Sequence, residues 1–199
     1  MESVILASAS PRRKELLEQI GISFRCHPAK GEEKADGTTP EEIVKRLAQQ
    51  KAEEVASHYQ EGIVLGADTI VCCEHEILGK PENRRQAAEM ITRLQGRVHE
   101  VYTGVCLLHM HSGICGRELI FAEKTEVEFY PMDQEEIEHY IRSGEGDDKA
   151  GAYGIQGGCA KYIKGIRGDY YNVVGLPISR VYQSLKQMKA ESHDTINCK

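Results

Sequence analysis

The chain has 199 residues, a net charge of −6 and 40% hydrophobic residues, which suffices for one well-buried core and disfavours coating nucleic acid or an anionic membrane surface. No apolar run approaches the roughly 18 residues of a membrane-spanning helix, and the N-terminus enters strand and helix patterning without the signature of a signal peptide. Seven cysteines at irregular spacing do not make a disulfide framework, so a reducing cytoplasm is the expected compartment.

Val4-Ile5-Leu6-Ala7 reads as a short buried strand. Ser10 suits a helix N-cap and Pro11 the first helical position, where a missing N–H is no loss. Arg12 and Arg13 then fall in the first turn, where the helix dipole favours acidic residues. Hydroxyls, free backbone N–H groups and two guanidiniums at a helix N-terminus make an anion site suited to phosphate; a capped surface helix with arginines paired elsewhere accounts for the same residues. A strand over Ile22 to Cys26 and a polar loop over Pro28 to Thr39 follow. Thr39 or Thr38 can cap a helix beginning at Pro40, whose apolar face (Ile43, Val44, Leu47, Ala48, Ala52, Val55, Ala56) repeats at 3.6-residue spacing to about His58.

Ile63 to Cys72 is the most apolar run and predicts a central strand. Ala87, Met90, Ile91 and Leu94 mark a further helix ended by Gly96. Val98 to Met110 and Glu118 to Tyr130 read as long antiparallel strands joined near Ser112-Gly113. Asp133 caps a helix through Arg142, and a glycine-rich loop spans Gly144 to Gly158. Strands are expected near Lys161-Tyr162-Ile163 and Tyr171 to Val174, then a last helix from Pro177 and a polar, disordered tail over residues 190–199. The pattern predicts a single domain over residues 1–189 with a mixed-sheet α/β fold, since strands and helices alternate without regular βαβ spacing.

Asp68 stands out because a carboxylate in an apolar strand is expensive unless paired, hydrogen-bonded or cation-bound. Gly66 on the same strand permits close approach of another chain or a ligand, and Thr69 adds a hydroxyl. Gly79-Lys80-Pro81 is a weak phosphate signal without the rest of a P-loop. His99 reads as structural, His109 and His111 as solvent-exposed, and Cys72 and Cys73 as packing residues. In Asp148 to Gly157, closely spaced glycines allow approach of a flat ligand, Lys149 offers a charge to phosphate and Gln156 a paired donor and acceptor.

Ser8-Ala9-Ser10-Pro11-Arg12-Arg13, Gly66-Ala67-Asp68-Thr69, Gly79-Lys80-Pro81, Asp148 to Gly157 and Tyr170 to Pro177 occur in an order that resembles the Maf family of nucleoside-triphosphate pyrophosphatases, also called septum-formation-inhibitor-like proteins. The likeness covers Val4 to about Met188 and departs at Gly146-Asp147, where the family often has a proline. It implies an elongated mixed sheet with flanking helices, folded as two lobes around a central cleft in the Maf/ITPase manner. It further implies cleavage of a nucleoside triphosphate between the α and β phosphates with a divalent metal, usually magnesium, manganese being an alternative. By the resemblance Asp68 is the proton acceptor, Glu32 and Asp68 hold the metal, and Ser8, Arg13, Lys51, Lys80 and Lys149 contact phosphates. Arg12, Thr69 and Gln156 match positions that mark the branch acting on dTTP and UTP. The implied partner is a small nucleotide, not nucleic acid or membrane, with a homodimer left open. A nucleotide-binding regulator of septum formation, with incidental catalysis, is the competing expectation; a poised carboxylate with surrounding cations favours the enzyme.

Overall fold

The computed structural model describes the backbone of residues 3–196 and the side chains of residues 3–190. Strand β1 (Val4–Leu6) leads to helix α1 (Pro11–Gln19), β2 (Phe24–Cys26), α2 (Pro40–Ala56), β3 (Gly62–Cys73) and β4 (Glu76–Leu78). Then follow α3 (Arg84–Leu94), β5 (Val98–His111), β6 (Ile114–Phe129), α4 (Gln134–Ser143), β7 (Ile163–Arg167), α5 (Tyr170–Val174) and α6 (Ile178–Ile196). The seven strands form one mixed sheet in the order β2-β1-β3-β5-β6-β7, with β4 paired to β3. β1 runs parallel to β2 and β3, while β4 and β7 pair antiparallel. This is the mixed-sheet α/β fold that the patterning predicts.

The chain divides into two compact units. The first comprises Met1–Asp68, Gly104–Ala122 and Gly175–Lys199, and its core gathers Ile5, Ala48, Ala52, Val55, Val64, Cys106 and Leu108. The alternation of strand side chains and the 3.6-residue stripe of α2 meet there. α2 lies so close to the sheet that a side chain at Gly66 would collide with the Ala48 carbonyl, and one at Gly104 with that of Val44. The close approach expected at Gly66 is therefore made by a helix of the chain itself.

The second unit comprises Thr69–Thr103 and Glu123–Val174. Its core packs α3 and α4 residues such as Ile91, Leu94 and Ile137 with Val71, Val101, Val127, Phe129 and Tyr153. Both units contain a helix opened by a reciprocal capping box, Thr39 with Glu42 on α2 and Asp133 with Glu136 on α4. The β5–β6 turn consists of Ser112 and Gly113, both at positive φ (52° and 75°), a geometry that suits a two-residue hairpin. Because that turn is so short, β6 begins at Ile114, earlier than the Glu118 expected from the apolar pattern.

Four local expectations need correction. Of the strand expected near Lys161-Tyr162-Ile163 only Ile163 lies in β7; Gly158–Tyr162 is a tight 3-10 helix, its start closed by the Ala160 N–H donating to the Gly157 carbonyl at 3.0 Å. Ser10 occupies the N-cap position of α1 but makes no side-chain cap; its own N–H donates to Ser8 Oγ at 3.2 Å. Tyr170–Val174 is a helical turn rather than a strand. Apolar runs this short do not distinguish the two by periodicity, and here Asp169 Oδ1 accepts the Tyr171 N–H at 2.8 Å, starting a turn. α6 continues to Ile196, past the start of the expected tail at Ala190, and residues 197–199 lie outside the described residues. Among the described residues no helix is long and apolar enough to cross a membrane.

Candidate active site

In the first unit the strand-to-helix turn after β1 is held by side chains the sequence assigned to phosphate. Arg13 is 8% exposed; its Nη1 donates to Ser8 Oγ at 3.0 Å and its Nε to the Gly175 carbonyl at 2.9 Å. Burial pulls the Arg13 guanidinium below its ordinary value and the Asp68 charge pushes it back up; an arginine in this setting remains a cation. Ser8 and Arg13 are thus brought together as a buried pair beneath the α1 N-terminus, while Arg12 is only half-buried.

Asp68 ends the first unit's segment of β3. Its Oδ1 lies 2.5 Å from Lys51 Nζ, with the two side chains 15% and 13% exposed. Lys51 reaches it because the glycine at 66 lets α2 lie against the strand. Lys51 also pairs with Glu33 at 3.0 Å. The loop carrying that glutamate is strapped to α2: Lys30 N and Gly31 N donate to Glu54 at 2.7 and 3.0 Å, and Lys34 N to Gln50 at 3.0 Å. The family resemblance names Glu32 for the metal; its neighbour Glu33 is paired with Lys51, and both glutamates are exposed. Two adjacent glutamates in a polar loop carry no pattern to tell them apart.

In the second unit Thr69 begins a chain of neutral hydrogen bonds. Its Oγ1 is 2.9 Å from Thr103 Oγ1, which is 3.0 Å from the Asn172 carbonyl oxygen. Asn172 Nδ2 donates to the Val101 carbonyl at 3.1 Å and to Thr125 Oγ1 at 3.0 Å. Thr103, Thr125 and Asn172 are all 0% exposed, and Asn172 Oδ1 has no partner among the described residues. Thr103 and Asn172 escaped the sequence reading. For Asn172 the signal existed, since a polar residue inside the apolar stretch of residues 171–174 is the same anomaly that marks Asp68.

The glycine-rich loop is anchored at its middle. Tyr153 Oη lies 2.8 Å from His99 Nε2, and the Tyr153, His99 and Phe129 rings pack edge to face with centroids 4.9–5.3 Å apart. Burial drives the His99 pKa down to about 4, so the ring is neutral as the structural reading expects. On one side of Tyr153, Lys149 donates to the Glu145 carbonyl and, at 2.7 Å, to Asp148. On the other, Gln156 is exposed beside Gly157 and Gly158, and Gly158 N donates to Glu145 Oε2 at 2.6 Å. Gly151 N donates to the Gly79 carbonyl at 3.0 Å, which ties the loop to the residue preceding exposed Lys80.

The first unit therefore brings Asp68, Lys51, Arg13 and Ser8 into one electrostatic neighbourhood; the second places Thr69 on a hydrogen-bond network and Lys149 and Gln156 on one anchored loop. Among the described residues no three His, Cys, Asp or Glu side chains gather to hold a metal ion by themselves. Magnesium needs no such cage: one or two carboxylates with waters and substrate phosphates suffice. Asp68 fits that demand, because Lys51 engages Oδ1 alone.

A family model described as Maf-like protein matches residues 3–188. A dTTP/UTP pyrophosphatase of Agathobacter rectalis is 50% identical over 201 residues, covering 94% of this chain and 98% of that protein. A dTTP/UTP pyrophosphatase of Bacillus anthracis is 48% identical over 192 residues, covering 96% and 98%. Among solved structures, a HAM1 protein from Coxiella burnetii aligns over 65% of this chain and 73% of that one, with a TM-score of 0.46 and 17% identity.

Proposed function

This chain belongs to the Maf family, and from that premise we propose that it hydrolyses dTTP and UTP between the α and β phosphates, releasing the nucleoside monophosphate and pyrophosphate. The observation that carries the chemistry is Asp68, a half-buried carboxylate in an otherwise apolar strand, held through one oxygen by Lys51. Lys51 fixes the carboxylate and adds positive charge where a phosphate chain develops negative charge. The second oxygen of Asp68 is the acceptor for the proton of the attacking water. Ser8 and Arg13 supply a buried cation at the α1 N-terminus, and Lys80 and Lys149 supply exposed and half-buried ones. Thr69 and Gln156 carry base choice, with Arg12.

A magnesium ion, or manganese in its place, would be held by Asp68 and by Glu32 or Glu33 of the strapped loop; when bound it neutralises phosphate charge and acidifies water. The reading places the enzyme in the cytoplasm, acting on free nucleotides; its net charge of −6 supports that over a role on nucleic acid. The deciding experiment incubates the protein with each nucleoside triphosphate and magnesium and assays pyrophosphate and orthophosphate separately. Pyrophosphate from dTTP and UTP, with CTP, ATP and GTP poor, is expected. Orthophosphate as the sole inorganic product would make the protein a phosphatase of another kind.

A further inference from the structure

Thr103 sits between two oxygen atoms, and only one assignment of protons makes both contacts hydrogen bonds. Its Oγ1 is 3.0 Å from the Asn172 carbonyl oxygen and 2.9 Å from Thr69 Oγ1. A carbonyl oxygen has no proton to give, and a threonine hydroxyl has one. Thr103 must therefore donate to Asn172 and accept from Thr69. Both Thr103 and Asn172 are 0% exposed, which removes competition from bulk water. The rest of the network holds the Asn172 backbone in place. Its side-chain amide is oriented by the Val101 carbonyl, which only the NH2 group can satisfy. Thr125 accepts from that amide at 3.0 Å and donates to the Asp169 carbonyl at 2.9 Å. The Thr103 and Thr125 hydroxyl protons each go to a backbone carbonyl.

We infer that Thr103 is a positioning residue for base selection: by consuming the Thr69 hydroxyl proton, it leaves Thr69 able only to accept from a ligand. This rests on the dTTP/UTP reading and sharpens it. Along its pairing edge a uracil or thymine base offers one N–H, at N3, flanked by two carbonyl oxygens. An acceptor-only hydroxyl can bond that edge at N3 and nowhere else; at either carbonyl it would set lone pair against lone pair. Gln156 can then turn its NH2 toward a flanking carbonyl. Cytosine has a bare nitrogen at position 3. It could satisfy the acceptor only through its amino group, which requires the ring to slide one position along the edge. The network reads the direction of a hydrogen bond rather than the size of the base.

The test measures kcat/KM for UTP and CTP with the unmutated protein, Thr103→Val and Thr103→Ser. Valine keeps the volume and removes the Thr103 acceptor that fixes the direction of the Thr69 hydroxyl, so the UTP-to-CTP ratio should fall about tenfold, the value of one ordinary hydrogen bond. Serine restores the bond and should restore the ratio. A merely structural defect lowers both substrates together; an unchanged ratio in Thr103→Val, with the unmutated protein discriminating, overturns the proposal. If the unmutated protein does not prefer UTP to CTP, the substrate reading itself falls, and this proposal with it. Should Thr103→Val not fold, N3-methyl-UTP decides with the unmutated protein. Blocking the N–H should lower kcat/KM about tenfold or more against UTP, and the penalty should shrink in Thr69→Ala, which has no acceptor. Equal use of both nucleotides would overturn the assignment.

Discussion

Around Asp68 the first unit gathers ions, and around Thr69, the next residue of the same strand, the second unit gathers neutral hydroxyls and amides. Lys51 and Glu33 meet near Asp68 at 2.5 and 3.0 Å from the lysine, with Glu33 half-exposed. Thr103, Thr125 and Asn172, by contrast, are wholly buried and bonded in one direction each. Ion pairs near solvent are loose in geometry and act over distance, which suits a phosphate chain whose charge changes during reaction. A buried neutral network has little charge to offer but fixes donor and acceptor identities, which suits a base edge. The family's reaction needs both, and the chain keeps them chemically separate.

The largest expected effect breaks the charged side. Asp68→Asn keeps the volume and removes the acceptor for a proton, so turnover should fall about 10²–10⁴-fold, the usual range for a lost general base. Folding should survive, because asparagine can still accept from Lys51; circular dichroism and kcat measured together check both parts. Near-normal turnover would take Asp68 out of the mechanism.

The neutral side should reveal itself through pH. His99 has a folded pKa of about 4 against an ordinary 6.5. Between those values the unfolded chain binds a proton that the folded one refuses, so stability is full above pH 6.5 and declines as pH falls toward 4, by up to about 3 kcal/mol. His99→Gln should flatten that part of the profile when denaturant midpoints are compared at matched pH. An identical slope in both proteins would mean His99 does not carry the shift. The lowered carboxylates Glu42, Glu54 and Glu61 are fully exposed, and the difference between the two proteins cancels their contribution.

Lys149, like Lys80, brings charge into the second unit, and it tests how strict the separation is. Its Nζ is engaged by the Glu145 carbonyl and Asp148, so a phosphate must compete with those partners. Lys149→Ala should raise KM for UTP and lower kcat/KM by the worth of a hydrogen bond to a charged group, roughly 1.5–3 kcal/mol or about 10–150-fold. Unchanged kcat/KM would leave Lys149 as a loop brace alone.

The fold was legible where periodicity and turn chemistry agree. The Thr39-Pro40 start of α2, the apolar run of β3 and the Ser112-Gly113 turn all appear where the residues place them. Legibility failed where local signals conflict: residues 171–174 are apolar enough for a strand, yet they form a helical turn whose start is bonded to the Asp169 side chain. For the site, Asp68 could be found because burying a charge is visibly costly. Thr103 could not, since a threonine in a strand is ordinary until its neighbours across the sheet are known. Its role depends on residues 69 and 172, far away in sequence.

The smallest effects compare the two capping boxes. On α2, Glu42 N donates to Thr39 Oγ1 at 3.2 Å and Thr39 N to Glu42 Oε2 at 3.3 Å. On α4, Glu136 N donates to Asp133 Oδ1 at 2.9 Å and Asp133 N to Glu136 Oε2 at 3.0 Å. Thr39→Ala and Asp133→Ala should each cost about 1 kcal/mol of stability, read from denaturant midpoints. Asp133→Ala should lose slightly more, because the aspartate charge also favours the helix N-terminus. Neither should alter kcat at saturating UTP. Lys51 sits three turns along α2 from its cap, beyond the end turn where a lost cap frays a helix, and the loop with Glu33 is tied to Glu54 and Gln50 rather than to Thr39. A loss of turnover in Thr39→Ala at unchanged KM would show that order in the loop depends on the helix start, and that the charged side is less self-contained than its straps imply.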